Sequence, residues 1–285
     1  LFPYTTLFRS LDTKKKKPSL KSVPFERLDV KKISGTEDPQ RILLLVHRTL
    51  TEAEDPMDGL VDNQDESNLS YLPEDKCAYE FIDACETKPL MTFAEYAPFD
   101  HPHLTLRLRA DQFTIGELKD RAKGLVFTKQ SLFNTADNYR RPVIDHKMPL
   151  SEVIYSRVPG NYPQDNSERF NWNQEDHDEQ LAHGYSGCID YNISRIRGVP
   201  IEAALQSLPQ NLLINATVTG SLGDWLRFLC SSTSLNGSYE LRSMYGMIAS
   251  QVRKFAPEIY KWWYSGIQDR ESAEPNSSFA SSMSL

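Results

Sequence analysis

The side chains with the richest chemistry fall in a few short segments. Asp176-His177-Asp178-Glu179, followed by His183, has the donor types of a metal site. The same run at the start of a helical pattern fits a solvated first turn, where carboxylates complement the helix dipole. His101 and His103 have one residue between them and no third ligand nearby, so they read as a strand edge rather than a metal pair. Gln130-Ser131 could hydrogen-bond a heterocycle or a phosphate, or cap a helix. Trp225, Trp262 and Trp263 could stack on a planar ligand, although aromatic residues at helical spacing usually pack a core. Arg121, Lys123, Lys129, Arg140 and Arg141 are further cations in this part of the chain.

These side chains need elements to hold them, and hydrophobic periodicity shows where those elements lie. Phe25 to Ile33 reads as a strand. Ile42, Leu43, Val46 and Leu50 fall at helical spacing behind Pro39, which suits a first turn, and Ala78, Phe81, Ile82 and Cys85 do the same further on. Asp55 to Asp75 between them is acidic and turn-rich and reads as a solvated loop. His103 to Arg109 alternates, with Leu104, Leu106 and Leu108 on one face and Thr105, Arg107 and Arg109 on the other, the pattern of a half-buried strand.

Ile115 to Val126 reads as helical, and Asn134 to Asn173, with four prolines, as an excursion over the surface. Leu181, Tyr185, Cys188, Ile189, Ile193 and Ile196 form the stripe of a long helix that stops at Gly198-Val199-Pro200. Pro200 to Leu208 is a short helix, Leu212 to Thr219 a strand, and Leu222 to Leu229 and Ser238 to Phe255 two more helices. The last has Leu241, Met244, Tyr245, Ile248, Val252 and Phe255 on one side.

Composition limits the class. A chain of 285 residues with 39% hydrophobic and 25% charged content is an ordinary globular protein. The longest aliphatic run, Ile42 to Val46, falls far short of the roughly 18 residues of a membrane span. A net charge of -7 argues against a general nucleic-acid coat. Cys77, Cys85, Cys188 and Cys230 are widely spaced and read as reduced, mostly buried thiols, so a cytoplasmic location is expected. Residues 1–10 match the translation of a sequencing-adapter oligonucleotide and are expected to be foreign to the fold. The expected organisation is a basic disordered lead-in over 11–22, one domain over 23–268 and a disordered tail over 269–285.

Three segments, in order, resemble the flavin-dependent thymidylate synthases. Phe99-Asp100-His101 and its strand are similar to that family's Phe-Glu-His segment. Gly198-Val199-Pro200-x-Glu202-Ala203-Ala204 with Leu208-Pro209-x-Asn211-Leu212 is similar to its Gly-Val-x-x-Glu-x-Ala-Arg and Leu-Pro-x-Asn-Leu segments. Thr219-Gly220-Ser221-Leu222-x-Asp224-Trp225-Leu226-x-Phe228-Leu229, followed by Tyr239-Glu240-Leu241, is similar to a family helix ending Phe-Leu-x-x-Arg and the later Gln-x-Glu-Ile.

The family's diagnostic motif, Arg-His-Arg-x-x-Ser-x-Asn-Glu-x-Ser-x-Arg-Tyr, is degenerate here. Over Arg121 to Asn134 only Arg121 and Ser131 match, and Lys123 preserves a charge. Family arginines fall at Leu205 and Ser232, and the Gln of Gln-x-Glu falls at Ser238. Hydroxyls and ammonium groups bind a phosphate less well than bidentate guanidinium groups do, so these losses should cost several kcal/mol of nucleotide binding.

The resemblance implies an α+β fold, a small sheet packed with several helices, that assembles as a homotetramer. It implies FAD as cofactor, NADPH as reductant and methylenetetrahydrofolate as one-carbon donor for reductive methylation of dUMP to dTMP, with dUMP or a related pyrimidine nucleotide bound. It also implies Arg121, Lys123 and His101 as cofactor contacts and Gln130, Ser131, Asn215 and Glu240 as substrate contacts. The alternatives are a catalytically inactive paralogue acting as a structural or regulatory subunit, and a helical interaction protein with accidental similarity.

Overall fold

The structure, a computed structural model, describes residues 28–51, 72–86, 97–136, 152–163, 169–230 and 237–273. The adapter-like segment, the basic lead-in, most of the acidic loop, Arg140 and Arg141 lie outside the described residues.

Two long antiparallel strands organise the molecule. β2 (His103–Asp111) pairs with β6 (Leu213–Ser221) over its whole length, from His103 opposite Ser221 to Asp111 opposite Leu213. β1 (Asp29–Gly35) adds to the outer side of β2, and β3 (Val126–Lys129) to the outer side of β6, giving an antiparallel sheet of order β1-β2-β6-β3. Strict alternation decides which way the sheet faces. Leu104, Leu106, Leu108 and Ala110 of β2 and Ile214, Ala216 and Val218 of β6 are buried on one side, each large side chain contributing roughly 1.5 to 3 kcal/mol of transfer free energy. The other side carries Thr105, Arg107, Arg109, Asn215 and Thr217 toward solvent.

Helices cover the apolar side. α8 (Tyr239–Phe255) buries Leu241, Met244, Tyr245, Ile248, Val252 and Phe255, the expected stripe. α7 (Leu222–Cys230) follows β6 without a loop and drives Trp225 into the core, where its indole nitrogen donates to the Leu104 carbonyl at 3.1 Å. α1 (Pro39–Thr51) and α2 (Glu74–Glu86) form the flank, with Phe81 set edge-on against Phe99 at 5.5 Å. α9 (Pro257–Ala273) closes this layer with Ile259 and Trp263, and continues as helix beyond the expected domain end at 268.

Several sequence expectations are corrected. The helical reading of Ile115 to Val126 ends early: α3 (Gln112–Arg121) stops at Ala122, and Val126 begins β3. As an edge strand with only Phe127 half-buried, β3 carries no alternation to reveal it. The surface excursion after Asn134 is interrupted by a buried segment: Val153, Ile154 and Tyr155 lie inside, bridged to Leu212. A hairpin follows, β4 (Gly160–Pro163) with β5 (Arg169–Trp172), and then α5 (Gln174–Ile196). The stripe of α5 packs through Leu181 and Cys188, whose thiol burial pushes up to about 11, but Ile193 and Ile196 at its end are exposed. Of the four thiols only Cys77 and Cys188 are buried; Cys230 is exposed. A short helix over 132–136, α4, precedes the buried segment, and α6 (Ile201–Ala204) follows α5.

Among the described residues no helix is long and apolar enough to cross a membrane.

Candidate functional site

The start of α8 gathers the most unusual chemistry. Its N-cap, Ser238, accepts from the Leu241 amide at 3.2 Å, and the next two residues, Tyr239 and Glu240, turn toward the segment after Ile154. The Glu240 side chain is buried and both of its oxygens accept hydrogen bonds. Arg157 donates through Nε to Oε1 at 2.5 Å and through Nη2 to Oε2 at 2.9 Å, the two-pronged geometry that suits a carboxylate, and the Tyr155 hydroxyl donates to Oε1 at 3.1 Å. Burial opposes ionisation of Glu240, but the hydrogen bonds and charge of Arg157 prevail and hold its carboxyl below the usual range. Burial, with the Glu240 charge behind it, pushes the Tyr155 hydroxyl far up, so it remains a neutral donor.

Aromatic rings surround the Arg157 guanidinium, with Tyr162 at 5.4 Å, Trp172 at 5.9 Å and Tyr239 at 6.0 Å from its central carbon. The hairpin supplies Tyr162 and Trp172, and α8 supplies Tyr239, which sits edge-on to Tyr162 at 4.7 Å. His177 of α5 fastens the segment from behind, its ring nitrogen 2.7 Å from the Arg157 carbonyl oxygen. His177 thus sits in packed structure, while Glu175 and Asp176 form the solvated first turn of α5, capped by Asn173.

Asp111 belongs to the same region. It ends β2 and caps α3, accepting from the Thr114 amide at 2.9 Å through Oδ1. Its Oδ2 is buried and has no hydrogen-bond partner among the described residues. Burial raises the Asp111 pKa, the Thr114 hydrogen bonds oppose it only in part, and the Glu240 charge adds to the rise.

The expected cofactor residues separate into two places. Arg121, at the end of α3, reaches back to Glu117 at 3.5 Å and lies against the start of α8: a Cβ on Gly237 would sit 3.4 Å from its Nη1. Lys123 and His101 border instead the junction of β6 and α7. There Ser221 and Asp224 cap each other, Asp224 accepts from Arg227 at 2.6 Å, and Asp100, next to His101, stands 3.8 Å from Arg227. Gly124, next to Lys123, passes over the same carboxylate with φ 87°, where a Cβ would lie 2.5 Å from Asp224 Oδ1, so only glycine fits. His101 and Lys123 are both exposed.

Of the expected substrate residues, Gln130 and Asn215 are joined. The Gln130 amide donates to the Asn215 carbonyl at 2.8 Å, and its side-chain oxygen accepts from the Asn215 backbone amide at 3.1 Å. They lie on the open side of the sheet beside Arg109, which pairs with Asn215 across the strands and donates to the Glu152 carbonyl at 2.8 Å. Ser131 starts α4, its carbonyl accepting from the amides of Asn134 and Thr135. Glu240 makes its hydrogen bonds to Arg157 and Tyr155 instead, so its carboxylate orients that guanidinium. Sequence reasoning passed over Tyr155, Arg157, Tyr162, Trp172 and Asp111; an aromatic-rich stretch around one arginine was the signal available.

Comparison with known proteins adds three findings. The family model described as thymidylate synthase complementing protein matches residues 33–258, from inside β1 into α9. No curated protein matches the chain. Among solved structures, the chain is similar to the UMP/dUMP methylase PolB from Streptomyces cacaoi, bound with 5-Br dUMP, at a TM-score of 0.54 and 15% identity, covering 84% of this chain and 95% of that one. At that identity the likeness concerns the fold, which is the same mixed arrangement of helices around a small antiparallel sheet.

Proposed function

Because the chain belongs to the thymidylate synthase complementing protein family, the family of the flavin-dependent thymidylate synthases, we propose that it binds dUMP or a related pyrimidine nucleotide and methylates its base. The observation that carries this reading is the extent of the family match, whose limits at 33 and 258 enclose every residue of the site around α8. The PolB structure, of the same fold, holds a brominated dUMP, which supports a nucleotide of that class here.

FAD is the cofactor this reading assigns, with NADPH as reductant and methylenetetrahydrofolate as one-carbon donor. The donor chemistry fits: the exposed ammonium of Lys123 and the exposed imidazole of His101 flank one strand–helix junction, and both suit an anionic diphosphate. When bound, the flavin would supply the reducing equivalents of the methylation. Arg121, at the end of α3, is assigned to the nucleotide or flavin phosphate, and Gln130, Ser131 and Asn215 to polar contacts with the nucleotide.

A homo-oligomer belongs to the same reading and is supported by Ile193 and Ile196, which continue the packed stripe of α5 yet stay exposed at 38% and 69%. A second reading, the inactive paralogue, is favoured by Arg121, whose guanidinium is drawn to Glu117 within its own helix. Visible absorbance of the purified chain and calorimetric titration with dUMP separate the two. Bound flavin and dUMP binding are expected. A colourless protein that ignores millimolar dUMP overturns the enzyme reading in favour of the paralogue.

A further inference from the structure

Resting on the reading that a pyrimidine nucleotide binds, we propose that Arg157 and Trp172 recognise the pyrimidine ring through its carbonyl oxygens, with Glu240 as the positioning residue. Glu240 takes up Nε and Nη2 of Arg157, which leaves Nη1 without a hydrogen-bond partner among the described residues. The adjoining Trp172 has its indole N–H buried and also without an acceptor among the described residues. The buried Trp172 N–H is costly to leave unpaired, so a ligand that brings it an acceptor removes that penalty, while Nη1 of the partly exposed Arg157 offers a second donor.

The charge balance selects the part of the nucleotide that fits. Arg157 is neutralised by Glu240, so the pair offers little to a dianionic phosphate. Two N–H donors set among Tyr162, Trp172 and Tyr239 offer flat apolar faces and in-plane hydrogen bonds, which match a neutral planar ring bearing carbonyl oxygens. The Arg157 side chain keeps 28% of its surface exposed, so solvent reaches the guanidinium beside the rings. Arg121, the cation assigned to phosphate, ends α3 and lies against Gly237, just ahead of the helix that carries Glu240. Donors in this position donate to the 4-carbonyl oxygen of uracil and oppose the amino group that replaces it in cytosine.

The test is calorimetric titration of the full chain, and of Trp172→Phe and Arg157→Lys, with dUMP, deoxyuridine, dCMP and inorganic phosphate. Trp172→Phe keeps an aromatic ring while removing the N–H donor, and Arg157→Lys keeps a positive charge facing Glu240. Each is expected to weaken dUMP and deoxyuridine binding about tenfold, to narrow the preference for dUMP over dCMP, and to leave phosphate binding unchanged. A second readout does not depend on affinity: the Trp172 indole N–H resonance, assigned by its absence in Trp172→Phe, is expected to shift on addition of deoxyuridine. If the parent binds dUMP while both variants bind it equally well and the resonance stays still, this inference is overturned and the proposed function stands. If the parent binds neither dUMP nor deoxyuridine, both fall.

Discussion

β2 with α3 and β6 with α7 are two versions of one unit, each a nine-residue strand passing directly into a helix, laid antiparallel in full register. Their junctions differ in electrostatic completeness. At the second, Ser221 and Asp224 satisfy each other reciprocally and Arg227 covers the carboxylate from solvent. At the first, one buried carboxylate, Asp111, caps the helix with a single oxygen and leaves the other unpaired. A fold gains nothing from an unpaired buried acceptor, so the unfinished junction is the end at which function is sought. It is the end where Glu240, Arg157 and the aromatic rings converge.

The units also differ in how they anchor their helices, and this gives the largest expected effect. The fourth residue of each helix is fully buried, Ile115 in α3 and Trp225 in α7. Trp225→Ala empties the larger space and removes the indole hydrogen bond to the Leu104 carbonyl, so a loss of about 4 kcal/mol is expected in urea denaturation. Ile115→Val should cost only about 1 kcal/mol. Equal losses would mean that the two helices are anchored alike.

Next comes the pair that fills the unfinished end. Glu240→Ala leaves Arg157 and the Tyr155 hydroxyl without their acceptor, for an expected loss of about 3 kcal/mol near neutral pH. Because the folded pKa of Glu240 lies below its unfolded value, its contribution is full above the unfolded pKa and disappears as pH falls through the folded one. The difference between parent and variant should therefore shrink on the acid side; a difference that holds constant down to strong acid contradicts the ion pair. At the finished junction, Ser221→Ala removes one cap and should cost about 1 kcal/mol, independent of pH across the neutral range.

How much of this was legible in the sequence depends on whether a feature is periodic. β2, β6 and α8 were readable because each sets an apolar face on a core and a polar face on solvent, which imposes a period on the residues. The membership of Arg157 and Glu240 in one site was not readable. They are 83 positions apart, and Arg157 sits in a proline-rich stretch whose turns masked the burial of Ile154 and Tyr155 beneath them. The ion pair of Glu240 was not readable either, since nothing in its sequence neighbours shows that Arg157 and Tyr155 donate to its carboxylate. The end of α3 failed for a plainer reason: the helix ends at Arg121 and Gly124 turns the chain at a positive φ, while the apolar Leu125 and Val126 prolong the helical pattern past both.

The smallest effect has the opposite sign and tests the comparison at its centre. Asp111→Asn keeps the oxygen that caps α3 and replaces a buried charge by a neutral amide. Burial raises the folded pKa of Asp111 above its ordinary value of 3.8, so ionisation costs the fold stability once the pH exceeds that value. The cost is absent below the unfolded pKa, grows as pH rises toward the folded one, and is constant above it. The variant should thus match the parent in acid and equal or exceed it by up to about 1 kcal/mol near neutral pH, the reverse of the Glu240→Ala profile. Urea denaturation of both proteins across this range decides. A loss at neutral pH would show that Asp111 Oδ2 is held as an anion by a partner, and the two junctions would then be equally complete.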